Sequence, residues 1–160
     1  MDQITEHLFL GSMEDAANLD LLRQHRIDSV ASVAKEAVLD LPWRKIGGLR
    51  DEAPKYDLYL AQEDSVPIPQ EFIEKYLTWM KQQILYHRRR VLVHCGAGIS
   101  RAPSFTIGYL MFCGFSWDDA EAWVQVKRAN VRIQPHGDLK KSFLKYFNAW
   151  PYNTYGLDEE

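Results

Sequence analysis

Residues 91–101 read VLVHCGAGISR, and this stretch changes character twice. It opens on a short, continuous apolar run, which is typical of a strand buried on both faces of a parallel sheet. Two glycines then favour a tight loop, and an apolar segment with helical spacing begins at Arg101. The pattern predicts a strand, a loop and a helix, with Cys95 at the carboxyl end of the strand. Ligands of α/β sheets usually bind at that end.

The loop between Cys95 and Arg101 has the features of an anion site. Its glycines allow successive backbone N–H groups to turn inward, and the helix N-terminus adds partial positive charge. Arg101 carries a planar guanidinium that can bind two phosphate oxygens at once. The same surroundings favour the thiolate form of Cys95. This arrangement is suited to nucleophilic displacement at phosphorus, and the Cys-x5-Arg spacing favours that role over a buried structural cysteine.

Strands alternate with helices along the rest of the chain. The predicted strands are residues 4–10 (a strand or hairpin), 27–33, 57–62 and 90–94. The predicted helices are a short one capped by Ser12, then 20–26, 69–87, 101–113, one that begins after Ser116, and 137–150. This order indicates one α/β domain over residues 1–150, a sandwich whose central, mostly parallel sheet is flanked by helices. Residues 151–160 form a polar, partly aromatic tail.

Composition and charge place the chain among ordinary globular proteins. Its 160 residues are 46% hydrophobic and 26% charged, which argues against disorder, collagen-like repeats and a disulfide scaffold. A net charge of −3 disfavours a nucleic-acid partner. The acidic N-terminus has no apolar signal-peptide core, and no apolar stretch reaches the ~20 residues that cross a bilayer. We therefore expect a cytoplasmic protein with no membrane partner.

Other titratable and aromatic residues predict structural roles. Two cysteines are too few for a zinc quartet, and no His, Cys or carboxylate cluster has metal-ligand spacing, so no metal or cofactor is expected. Cys113 follows an apolar helix end and is predicted to lie in the core. Residues 87–90, His-Arg-Arg-Arg, predict a solvated helix end. A core-facing stripe is predicted from Phe143, Tyr146, Phe147 and Trp150.

The motif His94-Cys95-x5-Arg101 resembles the signature of the cysteine-dependent protein tyrosine phosphatase superfamily. The full 91–101 string, with Tyr109-Leu110-Met111 after it, resembles the small, atypical dual-specificity phosphatases in particular. The resemblance implies that Cys95 is the nucleophile and that Arg101 binds the phosphoryl group and stabilises the transition state. It implies that His94 supports the loop and the acidity of the cysteine through hydrogen bonds. The backbone nest would come from Gly96, Ala97, Gly98, Ile99 and Ser100.

The family also uses an aspartate, on a loop that follows an upstream strand, as general acid and later as general base. Asp64 follows the predicted strand 57–62 and lies 31 residues before Cys95, which resembles the family's arrangement. The noncatalytic alternative for Asp64 is a solvated loop carboxylate. The alternative acids are Glu63 and Asp57, with Asp51 and Glu52 less favoured.

Two residues depart from the family pattern. The family usually places Ser or Thr directly after the arginine, where this chain has Ala102, and that hydroxyl donates to the cysteine sulfur. Its absence predicts slower breakdown of the phosphoenzyme, although Ser104 and Thr106 lie nearby. His136 stands where relatives often carry an Asn that positions the water of the second step. Both changes lower the expected turnover more than the expected phosphate binding.

The resemblance implies a dual-specificity protein phosphatase that acts on phosphotyrosine and on phosphoserine or phosphothreonine. The loop carries no basic residue before Arg101, which favours a protein or another small phosphomonoester over an inositol phospholipid. Three alternatives are a low-turnover module that binds phosphate, a phosphatase of a non-protein phosphomonoester, and a sulfurtransferase.

Overall fold

The computed structural model describes residues 1–37, 41–45, 48–49, 54–133 and 138–148. Its strands are β1 (Asp2–Thr5), β2 (Leu8–Gly11), β3 (Ser29–Ser32), β4 (Arg44–Lys45), β5 (Gly48–Leu49), β6 (Tyr56–Tyr59) and β7 (Val91–His94). Its helices are α1 (Met13–Ala17), α2 (Leu19–Gln24), α3 (Gln70–Met80), α4 (Arg101–Phe112), α5 (Trp117–Lys127) and α6 (Leu139–Asn148). Helix α3 continues as a π-helical segment over Lys81–Tyr86.

Five of these strands form the central sheet, in the order β1-β2-β7-β3-β6. Strands β2, β7, β3 and β6 run parallel to one another, and β1 is antiparallel to β2. All four residues of the middle strand, β7, are buried, as its continuous apolar sequence predicts. The predicted α/β fold with a mostly parallel sheet is confirmed.

The register of the sheet brings three strand ends together. His94, the last residue of β7, lies beside Gly11 of β2 on one side and beside Ser32 of β3 on the other. Because these strands are parallel, the loops that leave their carboxyl ends emerge at the same edge of the sheet. Cys95 and the segment from Val33 onward therefore start as neighbours.

Helix α4 is the central helix of the core, and every residue from Arg101 to Met111 is buried. The Phe105 ring makes edge contacts with Tyr76 of α3 and with Phe143 of α6, with ring centroids 4.9 and 5.5 Å apart. Edge-to-face pairs of this kind stabilise beyond their buried area. The first turn of α4, which carries Arg101, is thus held in place by aromatic packing about one turn along the helix.

The described residues match most of the predicted elements. Residues 2–11 form the predicted hairpin, and Ser12 and Ser116 cap α1 and α5 through their side chains. The core stripe on α6 is confirmed for the three members that are described, since Phe143, Tyr146 and Phe147 are buried. Trp150 and the tail at 151–160 lie outside the described residues. No helix within the described ranges is long and apolar enough to span a membrane.

Cys113 corrects one prediction, because it is exposed and does not lie in the core. It follows the last residue of α4 as the C-cap, and the next apolar residue, Phe115, is 45% exposed. Met111, two residues earlier, is buried. The apolar stretch of the sequence therefore continues beyond the end of α4, where the chain leaves the core. Apolar composition alone does not show where the buried part of the helix ends.

A glycine in the middle of α4 provides a test of the core packing. A Cβ atom at Gly108 would overlap the Phe143 ring. We expect Gly108→Ala to lower the free energy of unfolding by about 1–3 kcal/mol, as overpacking does, although Ala is about 1 kcal/mol better than Gly in an unhindered helix. Urea denaturation measures the change.

The double variant Gly108→Ala/Phe143→Leu serves as the control. Leucine removes most of the ring, so the double variant should lose less stability than the sum of the two single variants. Strict additivity would contradict the contact between Gly108 and Phe143.

Candidate active site

A pocket of about 180 Å³ opens at the carboxyl edge of the sheet. Its lining residues are Asp64, Cys95, Ala97, Ile99, Ser100 and Arg101. Cys95 is only 2% exposed, yet it lines this pocket and is not sealed inside the core. The volume is below the roughly 300 Å³ at which drug-sized ligand sites begin. The pocket is therefore suited to a small chemical group.

The loop that forms the wall of this pocket is oriented by hydrogen bonds on its outer side. Four successive carbonyls accept bonds from outside the loop: Gly96 from the Met13 N–H at 2.8 Å, Ala97 from Arg128 Nη2 at 3.1 Å, Gly98 from Arg128 Nε at 2.9 Å and Ile99 from the Arg132 N–H at 2.8 Å. The C=O and N–H groups of a trans peptide point in opposite directions, and no described peptide bond is cis. The N–H groups of residues 97–100 therefore face away from these donors, as an anion nest requires.

Arg128 is the side-chain donor in this arrangement. Its side chain is 10% exposed, and its third contact is an ion pair with the Asp2 carboxylate at 2.7 Å. Gly98 allows the approach, because its φ is +73° and a Cβ there would lie 2.6 Å from the Gly11 carbonyl oxygen and 2.7 Å from Arg128 Nη2. A side chain at residue 98 would push the loop off both neighbours.

Glu36 and Arg101 form a bidentate ion pair, with Nη1–Oε1 at 2.9 Å and Nη2–Oε2 at 2.7 Å. Nη1 also donates to the Gln62 carbonyl at 3.1 Å. These bonds occupy one edge of the guanidinium, whereas Nε lies 3.8 Å from an Asp64 carboxylate oxygen. A planar guanidinium bound on one edge keeps the other edge in a defined direction for a ligand.

This ion pair favours the charged form of both partners. The hydrogen bond from Arg101 outweighs the burial of the Glu36 carboxylate and lowers the pKa of Glu36 below its ordinary value. Burial acts against the charge on Arg101, but the hydrogen bond with Glu36 and the nearby Cys95 outweigh it, so the pKa of Arg101 is raised. The guanidinium therefore stays charged beside Cys95.

Asp64 lies on the loop after β6 and lines the same pocket as Cys95 and Arg101. Gln62 holds this loop: it is 1% exposed, and its Nε2 donates to the carbonyls of Glu63 at 3.2 Å and Val66 at 3.0 Å. The Asp64 side chain is 64% exposed, so it can reach both the pocket and solvent.

The other predicted acids are not placed at the pocket. The Glu63 carboxylate lies 3.9 Å from Lys35 Nζ and does not line the pocket. Asp57 lies within β6 itself. Asp51 and Glu52 fall outside the described residues.

His94 is fully buried and connects two parts of the sheet edge. Its Nδ1 lies 3.2 Å from the Cys95 carbonyl, and its Nε2 lies 2.6 Å from the Ser32 hydroxyl. A carbonyl only accepts hydrogen bonds, so Nδ1 carries the proton in this contact. His94 thereby orients the peptide that follows Cys95.

Residue 102 directly follows Arg101 and is an alanine, so it has no hydroxyl to donate to the Cys95 sulfur. Ala102 is fully buried. The Ser104 hydroxyl donates to the Ser100 carbonyl at 2.8 Å, so it supports the start of α4. His136 lies outside the described residues.

Three residues of the site were missed in the sequence: Glu36, Gln62 and Arg128. Each comes from a different segment, and each contacts the loop or Arg101 through a long-range bond. The burial of Arg101 implies a carboxylate partner, but its position in the sequence does not say which of many acidic residues supplies it.

A loop with inward N–H groups, a thiol, a guanidinium and a carboxylate at one small pocket is suited to binding a small anion. Residues 8–149 match the family model of the dual specificity phosphatase catalytic domain. The chain therefore belongs to this family of cysteine-dependent protein phosphatases, and the resemblance seen in the sequence is confirmed.

Individual relatives agree with this assignment. Human dual specificity protein phosphatase 8 is 30% identical over 154 residues, which cover 91% of this chain and 22% of the relative. Dual specificity protein phosphatase 22 of Xenopus laevis is 27% identical over 163 residues, covering 98% of this chain and 72% of the relative. The chain spans only 20–22% of the length of several of these curated relatives.

Solved structures show the same fold. Human DUSP28 superposes with a TM-score of 0.75 at 21% identity, covering 93% of this chain and 96% of that one. The human tyrosine phosphatase-like serine/threonine/tyrosine-interacting protein superposes with a TM-score of 0.73 at 25% identity, covering 91% and 94%.

The ion pair between Glu36 and Arg101 makes a prediction about pH. We expect Glu36→Gln to lower the free energy of unfolding by about 1 kcal/mol at pH 7, because a half-exposed charged hydrogen bond is lost. The pKa of Glu36 is lowered in the folded state, so this stabilisation is complete above its ordinary pKa of 4.5 and disappears as the pH falls through the lower folded value. Urea denaturation over a pH series measures the free energy of unfolding of the unchanged protein and of Glu36→Gln.

Glu71→Gln is the matched control, since the Glu71 carboxylate forms no ion pair with any other described residue. The difference in the free energy of unfolding between Glu71→Gln and the unchanged protein should not show the same dependence on pH. A Glu36→Gln difference that stayed constant from pH 7 down to about pH 3 would contradict the ion pair, because the unfolded carboxylate takes up a proton below its ordinary pKa of 4.5 before the folded carboxylate does, and this must reduce the difference.

Proposed function

We propose that this chain hydrolyses phosphomonoesters through a phosphocysteine intermediate, with Cys95 as nucleophile, Arg101 as phosphate ligand and Asp64 as general acid. One observation carries the proposal. The three side chains come from separate segments and line a single pocket of about 180 Å³, next to a loop whose carbonyls are bonded on the outside.

In the first step, the Cys95 thiolate attacks phosphorus. The S–P bond forms as the P–O bond to the leaving group breaks, and the leaving oxygen takes the proton of Asp64. The inward N–H groups of residues 97–100 and the Nε edge of Arg101 stabilise the negative charge on the other phosphoryl oxygens. Glu36 keeps that edge turned toward the pocket.

In the second step, a water molecule attacks phosphorus and the S–P bond breaks. The Asp64 carboxylate, now deprotonated, accepts the proton of the water. Inorganic phosphate leaves and the Cys95 thiolate is restored. Neither step as written requires a metal ion, and His94 supports the loop without taking the proton of the thiol.

We further propose that the substrates are phosphotyrosine and phosphoserine or phosphothreonine residues of proteins. The family and the names of the relatives support a phosphorylated protein. Between Cys95 and Arg101 the loop has no Lys, Arg or His. A substrate with additional phosphates would meet few cationic partners there, which favours a single phosphoryl group.

A second candidate function is a module that binds phosphorylated partners with little turnover. Ala102 supports it, because the position that usually holds the sulfur-directed hydroxyl is a buried methyl group. A solved neighbour is itself described as tyrosine phosphatase-like and as an interacting protein. The pocket position of Asp64 favours hydrolysis, because simple binding does not need a proton donor.

Hydrolysis of aryl phosphates in the presence of a chelator tests the mechanism. We expect Cys95→Ser to abolish turnover. Asp64→Asn should lower kcat by roughly 10²–10⁴ for phenyl phosphate and by much less for p-nitrophenyl phosphate, whose leaving group needs little protonation.

Glu63→Gln is the control for Asp64→Asn, because it removes the neighbouring carboxylate of the same loop. Glu63→Gln should leave kcat nearly unchanged for both substrates. Equal losses in Asp64→Asn for the two leaving groups would exclude proton donation by Asp64. Tight binding of phosphopeptides without any turnover would support the second candidate.

Ala102→Ser tests the second chemical step. We expect its hydroxyl to donate to the leaving sulfur and to raise the steady-state rate by roughly tenfold, which is the smaller end of the energy of a charged hydrogen bond. The pre-steady-state burst should keep its rate, because the first step does not change. Stopped-flow measurement separates the two phases, and an unchanged ratio of burst to steady state would show that the hydroxyl is dispensable here.

A further inference from the structure

A second pocket, of about 320 Å³, lies at the opposite edge of the sheet. It is formed by α2 and by residues that precede or begin β3, β6 and β7, among them Asp28, Tyr56 and Arg89. The four residues of a strand such as β3 rise roughly 13 Å, so a small ligand cannot occupy both pockets. This pocket is thus separate from the one that contains Cys95.

The charge of this pocket differs from that of the whole chain. Its lining includes the cations Arg23, Lys55 and Arg89 against the single carboxylate of Asp28. The chain as a whole has a net charge of −3. Among the described residues, neither Lys55 nor Arg89 has a carboxylate partner. A local cluster of cations on an acidic protein favours an anionic ligand.

The guanidinium of Arg89 is held in one orientation by two contacts. Its guanidinium carbon lies 3.6 Å from the centre of the Tyr56 ring, and Nη1 donates to Gln83 Oε1 at 3.1 Å. Gln83 is 5% exposed. The prediction of a solvated helix end at residues 87–90 is confirmed for His87 and Arg88, which are exposed, and is wrong for Arg89 and Arg90, which are half-buried. A stacked guanidinium loses little further rotational freedom when an anion binds.

Arg23 is the more mobile cation. It pairs with Asp20 of the same helix at 2.8 Å, but both side chains are largely exposed, at 59% and 92%. Exposed pairs of this kind stabilise by less than about 1 kcal/mol, so a carboxylate in the pocket can replace Asp20. Lys55 is also exposed and can move toward a ligand.

One side of the pocket is apolar. Leu22 and Ile27 are buried, Leu19 is half-buried, and all three line the pocket. An inorganic anion or a sugar phosphate would leave these side chains without a partner. A ligand with both carboxylates and aliphatic groups would satisfy both sides of the pocket, and about 320 Å³ is enough for a few side chains but small for a large cofactor.

We propose that this pocket binds an acidic peptide segment of a partner protein, with an aliphatic side chain against Leu19, Leu22 and Ile27 and carboxylates on Arg89, Lys55 and Arg23. Peptide carboxylates fit the charge, and a leucine or isoleucine fits the apolar side. The pocket would then hold a partner at a place that leaves the Cys95 pocket open. The proposal does not depend on hydrolysis.

The test uses the full chain labelled with ¹⁵N and the synthetic peptide EELEELE, blocked at both ends. We expect amide chemical shifts to change at Leu22, Asp28 and Tyr56. The peptides QQLQQLQ and EEAEEAE should each bind at least about tenfold more weakly, because each lacks one of the two kinds of contact; tenfold corresponds to 1.4 kcal/mol.

Lys55→Glu should weaken the binding of EELEELE by about tenfold or more, since one attraction becomes a repulsion. Lys75→Glu makes the same charge change on an exposed turn of α3 and should change the affinity by less than about twofold. The spectrum of each unbound variant shows whether it is folded.

The proposal would be overturned by no binding, by equal binding of QQLQQLQ, or by shifts confined to residues 95–101. Inorganic phosphate that produced the same shifts at the same concentration would also overturn it, because the aliphatic contact would then be unnecessary. Binding alone is measured, so these outcomes are independent of whether Cys95 and Asp64 hydrolyse phosphate.

Discussion

The carbonyl groups of residues 96–99 are bonded to donors on the outer side of the loop, from Met13, Arg128 and the backbone of Arg132. A peptide group has a dipole, so the side that faces the pocket carries the opposite sign from the side that faces these donors. If the carbonyls pointed inward, the same loop would repel an anion. The outer hydrogen bonds thus orient the peptide dipoles so that they add to the positive charge of Arg101 beside Cys95.

This orientation depends on a rigid frame at both ends of the loop. The strand before it is the buried middle strand of the sheet, and the helix after it is buried along almost its whole length. Gly98 provides the one conformation in the loop that a side chain would not tolerate, with Gly11 and Arg128 against it. The loop can hold its N–H groups inward because neither end can shift to relieve the close approach.

The guanidinium of Arg101 depends on a different part of the fold. Its partners, Glu36 and Gln62, follow β3 and β6, which are the two strands beyond β7 in the sheet. The strand order therefore brings the partners of Arg101 and the loop of Asp64 to one side of the pocket. The opposite edge of the same strands carries the cationic pocket around Arg89, so the two candidate binding sites share one sheet without sharing residues.

The sequence alone determined the elements whose cause is local. Residues 91–101 specify a strand, a loop and a helix, because apolar periodicity and glycine act over a few neighbouring residues. That pattern predicts the parallel sheet, the position of Cys95 at the end of a strand and the proximity of Arg101 to Cys95. The position of Asp64 near the same strand end could be predicted because Asp64 comes after a strand.

Tertiary structure decided the contacts that join distant segments. Arg128 bonds to the loop from 30 residues away, and Glu36 meets Arg101 across 65 residues. The exposure of Cys113 and the stacking of Arg89 on Tyr56 also depend on how separate elements pack against one another. Residue type and spacing do not predict which charged groups, rings or helix ends will lie next to one another. Those contacts depend on where each element lies in three dimensions.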